Sequence, residues 1–320
     1  IIISIFLHYH NIEHIFEEKY IIQHDEYVGP YEYLLTQFHG IFIYLRLLVL
    51  PINQMLDYGY PISYSIFHWK PMFGLTGLIV IGIFTKRLLN RGFNLEVFGI
   101  LWFFITISLE SSIIPIADTL VEHRLYLPSL GFFILLTAII LRIRDKYGNI
   151  IFSVILLFLI SSYSIASFQR NIIWQDGLTL WADNIEKNPH NPRPYCGRGV
   201  EYFTQGNYEH AILDYSSAIK LNPNMQNAIG SRGKSYEKLE MFEEAIKDYS
   251  QMVQLDSSRQ FRWLERMGVI NMNNGDFDNA LIIWNQAINS QPRNDKYYVS
   301  RGQTYEQIGS IDKALQDYNT

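Results

Sequence analysis

Cysteine is nearly absent from this 320-residue sequence, and neither half of the chain is basic. The single cysteine, Cys196, excludes an internal disulfide framework and leaves the redox compartment open. Ten Lys/Arg and twelve Asp/Glu fall in residues 1–168, with sixteen and nineteen afterwards, so the two parts carry net charges of −2 and −3. A chain without a basic part is not expected to have nucleic acid as its main partner.

Metal-ligand motifs and an initiating methionine are also missing. His8, His10 and His14 have a spacing that fits no metal motif, so we expect solvated loop histidines and predict no metal site. The sequence begins with Ile1 and stops at Thr320 partway through a repeat. This favours a fragment of a longer protein, in which the lack of a signal peptide excludes nothing.

Long uncharged runs fill the sequence up to about Phe168. The runs contain 15, 17 and 23 residues, and they are bounded by Lys70 and Lys86, Arg124 and Arg142, and Lys146 and Arg170. A helix needs roughly 20 apolar residues to cross a bilayer, or about 17 when flanking Lys and Arg reach the interface. The sequence therefore predicts four membrane spans, near 70–88, 95–113, 127–143 and 148–168.

Basic residues cluster in two short connections between these spans. They are Lys86, Arg87 and Arg91 in one connection and Arg142, Arg144 and Lys146 in the other, two spans later. Cytoplasmic loops are enriched in Lys and Arg, so both connections are expected to face the cytoplasm. Residues 110–128 and everything after Phe168 then face outward, into a periplasm or an endoplasmic reticulum lumen.

An apolar stripe precedes the first span and predicts a helix near 33–50 that lies in the membrane interface. The stripe consists of Leu34, Phe38, Ile41, Leu45 and Leu48 at spacings of three and four, and Tyr44 and Arg46 fall outside it.

After Pro189 the sequence repeats itself at a period near 34, the length of a tetratricopeptide repeat. Four copies, the last incomplete, share small, aromatic and proline positions: Gly199, Tyr202, Ala211, Pro223, Gly233, Tyr236, Ala245, Gly268, Ala280, Pro292, Gly302, Tyr305 and Ala314. Such repeats stack helix pairs into a solenoid whose concave surface binds a peptide or another protein. The predicted fold is therefore all-α: a partial multi-span membrane domain over 1–168, a linking half repeat over 169–190, and a tetratricopeptide-repeat α-solenoid over 191–320.

A polar segment interrupts the apolar half between the second and third predicted spans. Continued as a helical turn, it places Asp118 and Glu122 on one face, and Glu122 and Tyr126 likewise, at spacings of four. With Arg124 and His123 available for phosphate oxygens, this patch suits a lipid-linked phosphate substrate. The alternative is a tight loop in which Arg124 only neutralises Glu122 or Asp118.

The chain resembles the transmembrane and tetratricopeptide-repeat-containing family of protein O-mannosyltransferases. Three segments followed by the repeats carry the resemblance: EYLLTQF…YLRLLVLPINQMLDYGYPIS, ESSIIPIADTLVEHRLYLPSLGFF and RNIIWQDGLTLW. It implies a membrane fold of the C-type glycosyltransferases, a polyprenyl- or dolichyl-phosphate-linked sugar as donor with no other cofactor, and catalysis on the outer face. It also implies catalytic acids in an outer loop upstream of this sequence.

The same resemblance marks individual residues. Glu122, Arg124 and Tyr126 fall on the family's loop, and His123 stands where many relatives have arginine. Asp57 lies in LDYGYP, where the family has a similar segment; it either lines a sugar site or closes a turn before Pro61. Glu110, at the outer end of a span, is either functional or an interfacial carboxylate.

Two functions remain open at this stage. One is the C-terminal part of an integral membrane glycosyltransferase that moves a sugar, expected to be mannose, from the lipid carrier to protein hydroxyls. The other is a non-catalytic scaffold, anchored among membrane lipids, whose repeats assemble protein partners. An outer-loop Asp/Glu motif in the upstream sequence would distinguish them.

Overall fold

The computed structural model describes residues 28–109, 111 and 119–320, and the regular elements in these ranges are all helices. By their contacts the described residues form two compact units, one up to Asn188 and one from Pro189. The predicted all-α class is confirmed for this part of the chain. The predicted linking segment 169–190 falls almost wholly in the first unit.

The described residues of the first unit form six α-helices and one short 3-10 helix. They are α1 (Pro30–Val49), α2 (Trp69–Asn90), α3 (Asn94–Ser108), the 3-10 helix (Glu122–Leu125), α4 (Tyr126–Tyr147), α5 (Asn149–Ile173) and α6 (Gly177–Lys187). Among the residues that the structure describes, three stretches are long and apolar enough to cross a membrane: α2, α5, and Glu122–Tyr147, which contains α4. The second predicted span corresponds to α3, which is a shorter apolar helix of 15 residues.

Helix α1 packs into the core of the first unit. Its proline at the first turn has no N–H group to leave unsatisfied there. The buried face includes Ile41 and Leu48 from the predicted stripe, but Tyr44, which the stripe left out, is fully buried. Tyr44 packs with Phe103 and Ile107 of α3 in one apolar cluster. The buried face is therefore turned from the predicted one.

Two glycines let α3 and α4 approach closely. A Cβ atom added at Gly99 would lie 2.7 Å from the carbonyl oxygen of Gly131, and one added at Gly131 would lie 2.5 Å from that of Gly99. Small residues at such crossings allow backbone contact between apolar helices. The pair therefore fixes the distance between the helices on either side of the polar segment.

The second unit is a series of four helix pairs. They are α7 (Pro192–Thr204) with α8 (Tyr208–Leu221), α9 (Gln226–Lys238) with α10 (Phe242–Leu255), α11 (Gln260–Asn273) with α12 (Phe277–Ser290), and α13 (Asp295–Gln307) with α14 (Ile311–Tyr318). In each pair the repeat glycine lies under an aromatic ring 16 residues later: Tyr215, Tyr249, Trp284 and Tyr318. The four repeat alanines are buried in the same seams. The small positions therefore recur because a larger side chain would collide with that ring.

The turn inside each helix pair requires a left-handed backbone conformation. Gly206, Gly275 and Gly309 have φ values of 78°, 77° and 76°. The second repeat has Glu240 at the same place, with φ of 59°. A side chain is unfavourable in this conformation, so the turn of the second repeat is strained relative to the other three.

An ion pair between the two helices recurs in three of the four repeats. Arg198 and Asp214, Arg232 and Asp248, and Arg301 and Asp317 are each 16 residues apart, with N–O distances of 2.7, 2.7 and 2.6 Å. Each pair is bidentate, and each carboxylate is buried. In the third repeat the corresponding residues are Met267 and Ile283, both buried. The same position is thus filled either by a paired charge or by an apolar pair.

Cys196 lies on the buried side of α7. Burial raises the pKa of its thiol to about 12. It packs with Ala211 and Tyr215 of the next helix and so serves as a small packing residue.

Candidate functional site

The polar segment after α3 leads through the 3-10 helix directly into α4. Of the residues predicted to form a site here, Glu110 and Asp118 lie outside the described residues. The expected solvated histidines His8, His10 and His14 lie outside them as well. Glu122, His123, Arg124 and Tyr126 are described, and Asp57 lies in the connection between α1 and α2. The structure divides them into inward and outward side chains.

Glu122 points inward and holds the connection between α1 and α2. Its Oε1 accepts hydrogen bonds from the backbone N–H of Met55 and from the hydroxyl of Tyr58, both at 2.7 Å. Burial, followed by the nearby Glu122 carboxylate, raises the pKa of Tyr58 above that of a free phenol. The Tyr58 hydroxyl therefore stays protonated and remains a donor to Glu122.

Arg124 also points inward, toward α1, and only 5% of it is exposed. Its Nη1 donates to the hydroxyl of Tyr33 at 3.0 Å and to the carbonyl oxygen of Thr119 at 3.4 Å. The same carbonyl accepts from Nε2 of Gln37 at 2.8 Å. The Val121 N–H donates to the hydroxyl of Tyr44 at 3.1 Å. Three of these bonds attach the segment to the buried polar face of α1, and the bond from Arg124 to Thr119 closes the segment on itself.

His123 of the 3-10 helix and Tyr126, the first residue of α4, point outward. Both are exposed, and Tyr126 keeps 84% of its accessible surface although it begins an apolar helix. An exposed tyrosine at the end of a span is typical of the membrane–water interface. In this segment the side chains accessible to a ligand are therefore His123 and Tyr126, whereas Glu122 and Arg124 hold the segment in place.

Asp57 takes part in a turn. Its Oδ1 accepts from the N–H of Gly59 at 2.8 Å, and Gly59 has a φ of 50°. This geometry corresponds to the turn before Pro61 that the sequence left as an alternative to a sugar contact.

Helix α6 holds the other side of the α1–α2 connection, which the sequence did not suggest. Oδ1 of the fully buried Asn184 accepts from the N–H of Leu56 at 3.0 Å, and Nδ2 of Asn188 donates to the carbonyl oxygen of Tyr58 at 3.0 Å. Nζ of Lys187 donates to the carbonyl oxygen of Gln54 at 2.8 Å. The connection is therefore held between Glu122 on one side and α6 on the other.

A buried charge network supports α6 itself. Asp183 pairs with Arg170 at 2.9 Å and with Lys187 at 2.6 Å, and all three side chains are largely shielded from solvent. Because α5 supplies Arg170, this network ties the end of the last apolar helix to α6. Within residues 28–109, 111 and 119–320, no group of three His, Cys, Asp or Glu side chains is arranged to hold a metal ion.

These features define an all-helical protein with apolar helices long enough for a membrane, followed by helix-pair repeats. Residues 192–225 and 227–259 each match the tetratricopeptide repeat family, so this part of the chain consists of tetratricopeptide repeats. The solved structure of MamA is similar to the chain at 19% identity and a TM-score of 0.41, over 44% of this chain and 82% of that one.

Two curated relatives are protein O-mannosyl-transferases. One, from Caenorhabditis elegans, is 27% identical over 200 residues, which is 59% of this chain and 28% of the relative. The other, Tmtc3 of Drosophila melanogaster, is 24% identical over 111 residues, which is 33% of this chain and 12% of the relative. The matched part of the chain therefore spans less than a third of the length of either relative. The similarities confirm the resemblance drawn from the sequence segments.

Proposed function

We propose that this chain contributes to a membrane glycosyltransferase that moves a sugar, expected to be mannose, from a polyprenyl-phosphate carrier to protein hydroxyls. The similarity to the O-mannosyl-transferase of Caenorhabditis elegans, which extends over 59% of the chain, is the observation that carries this proposal. The three helices long enough to cross a membrane agree with a lipid-linked donor.

The proposal gives different roles to neighbouring residues of the polar segment. Glu122 and Arg124 are positioning residues, because their hydrogen bonds hold the segment to the α1–α2 connection and to α1. His123 and Tyr126 are the side chains that face a donor, with His123 near the phosphate. Asp57 shapes the turn that Glu122 holds through Tyr58. Glu110 and Asp118 remain proposed members of the same site.

The repeats are proposed to bind the protein that accepts the sugar, or a partner that delivers it. Stacked tetratricopeptide repeats form a concave surface suited to an extended peptide. We place the repeats and the polar segment on the same, non-cytoplasmic side of the membrane, because the two Lys/Arg-rich connections favour the cytoplasm.

A transfer assay tests the proposal. Membranes containing the full protein would receive a polyprenyl-phosphate donor with radiolabelled mannose and a peptide rich in Ser and Thr. We expect labelled peptide with the wild type and a loss of about tenfold or more with His123→Ala and Glu122→Gln, since each removes a donor contact or its support. Asp145→Asn, on the opposite end of α4, is the control and should leave transfer unchanged.

A non-catalytic scaffold is the second candidate, and the family matches of the first two repeats favour it. It predicts that the wild type transfers no sugar from any lipid-linked donor, while protein capture by the repeats is unaffected by His123→Ala. Transfer that persists equally in all three variants would instead show an enzyme whose site lies elsewhere.

A further inference from the structure

A groove of about 270 Å³ opens between α2, α3 and α4 at the end of the first unit that lies away from the polar segment. Its walls are almost entirely apolar. Phe84 and Leu88 come from α2, and Leu135, Ile139 and Ile143 come from α4. Phe84 and Ile139 are both about half exposed, so the groove opens on the outer surface of the helices.

One end of the groove carries positive charge. Arg142 binds the buried carboxylate of Glu96 through Nε and Nη2, and its guanidinium lies 3.8 Å above the ring centroid of Phe93. Lys146 lines the groove one helical turn further along α4, with its Nζ 4.8 Å from the ring centroid of Tyr147. The acid within the groove is therefore already neutralised, and the ammonium of Lys146 adds a net positive charge.

The surrounding segments are basic as well. Lys86, Arg87 and Arg91 lie at the end of α2 and just after it, and Arg144 lies in the last turn of α4. The acids of these segments are Glu96 and Asp145, and each is bonded to an arginine. Net positive charge thus surrounds the end of an apolar groove in which two of the three helices, α2 and α4, belong to stretches long enough to cross a membrane.

We propose that this groove is a binding site for an anionic phospholipid. The phosphate lies against Lys146 and Arg142, and one acyl chain follows the wall formed by Leu135, Ile139 and Ile143. A basic pocket between membrane helices attracts acidic headgroups. The apolar wall favours a lipid over a water-soluble phosphate, because only the lipid has an acyl chain to bury there. The site is independent of sugar transfer, since it lies on the side of the helices that is proposed to face the cytoplasm.

Lipid retention by the full protein tests this site. The purified protein would be exchanged into detergent with equal amounts of phosphatidylglycerol and phosphatidylcholine of the same chains, and retained lipid counted by native mass spectrometry. We expect the wild type to retain phosphatidylglycerol preferentially. Lys146→Gln should reduce that preference about fivefold, the effect of one basic residue near an anionic headgroup.

Two further variants distinguish lipid binding in the groove from nonspecific attraction of anionic lipid to a basic surface. Arg144→Gln removes the same charge from the same turn of α4, but Arg144 does not line the groove, so the preference should change by less than about twofold. Ile139→Trp fills the apolar wall and should abolish retention without changing the melting temperature. Equal losses in Lys146→Gln and Arg144→Gln, equal retention of both lipids, or retention by Ile139→Trp would overturn the proposal.

Discussion

Two polar side chains that the fold shields from solvent, the partly buried Glu122 and the buried Arg124, hold connections of the chain in place. Glu122 accepts two bonds from the α1–α2 connection, and Arg124 donates to Tyr33 and to the Thr119 carbonyl. A buried charge is tolerated only when such bonds replace its hydration. The residues next to them, His123 and Tyr126, have no comparable burial and are the ones open to solution.

The positioning role of Arg124 predicts a stability effect. Arg124→Ala should lower the free energy of unfolding by about 2 kcal/mol, because hydrogen bonds from a charged donor are lost and buried acceptors are left unsatisfied. His123→Ala, one residue away and exposed, should change it by less than about 0.5 kcal/mol. Circular dichroism melting in detergent compares the two variants. Equal melting temperatures would contradict the assignment.

The left-handed turn at Glu240 predicts that glycine is better there. Glu240→Gly should raise the free energy of unfolding of the repeats by about 0.5 kcal/mol, since the relief of strain exceeds the added entropy of the unfolded glycine. Gly275→Ala, the reverse change in the next repeat, should lower it by about 1 kcal/mol. Chemical denaturation measures both. A loss of stability in Glu240→Gly would show that its side chain makes a compensating contact.

At the scale of elements, the sequence predicted the helices well because their signals are local. Uncharged runs indicated α2, α4 and α5, and the period of 34 indicated the helix pairs of the repeats. The buried face of α1 was predicted less well, because Tyr44 is buried by tertiary contacts with α3 and by the bond from Val121. Amphipathic periodicity does not predict the burial of a tyrosine, because that burial depends on a hydrogen-bond partner for the hydroxyl, and the partner lies elsewhere in the chain.

The long-range hydrogen-bond partners of the polar segment and of the α1–α2 connection could not be predicted from a single sequence. Glu122 and Tyr58 are 64 residues apart, and Leu56 and Asn184 are 128 apart. The ion pairs of the repeats are different, since Arg198, Arg232 and Arg301 and their aspartates recur with the repeat period. An alignment of the repeat copies could therefore have predicted these ion pairs, because a charge that recurs at a buried position indicates a partner of opposite charge.

The third repeat supplies a natural control for those ion pairs. Arg232→Met alone should lower the free energy of unfolding by about 3 kcal/mol, because it strands Asp248, which is only 3% exposed. Adding Asp248→Ile copies the Met267 and Ile283 pair, and should restore all but about 1 kcal/mol. A double-mutant cycle by urea denaturation measures the coupling. Additive single and double effects would contradict it.

At the scale of the whole molecule, the contacts divide the described chain after Asn188. The membrane-type helices and α6 belong to the first unit, and the repeats have their own apolar clusters. Repeat arrays are stabilised by contacts between neighbouring repeats, so they need no distant support.

Residues 189–320 expressed alone should therefore fold in water. We expect a helical far-ultraviolet circular dichroism spectrum and a cooperative thermal transition, whereas residues 28–188 should require detergent because of their exposed apolar helices. If the repeat fragment showed no cooperative transition, the repeats would depend on the first unit for part of their stability, which would contradict this prediction.

Because the thiol of Cys196 is buried, the wild-type chain can serve as the unlabelled control in cysteine-labelling experiments that map membrane sidedness. This 320-residue chain has no other cysteine, and burial both shields the Cys196 thiol from a maleimide and raises its pKa, which disfavours the reactive thiolate. One cysteine engineered at a solvent-facing site, such as Tyr126 or Lys146, would report alone whether an impermeant reagent reaches it. The orientation of the helices can thus be scanned without first replacing the native residue.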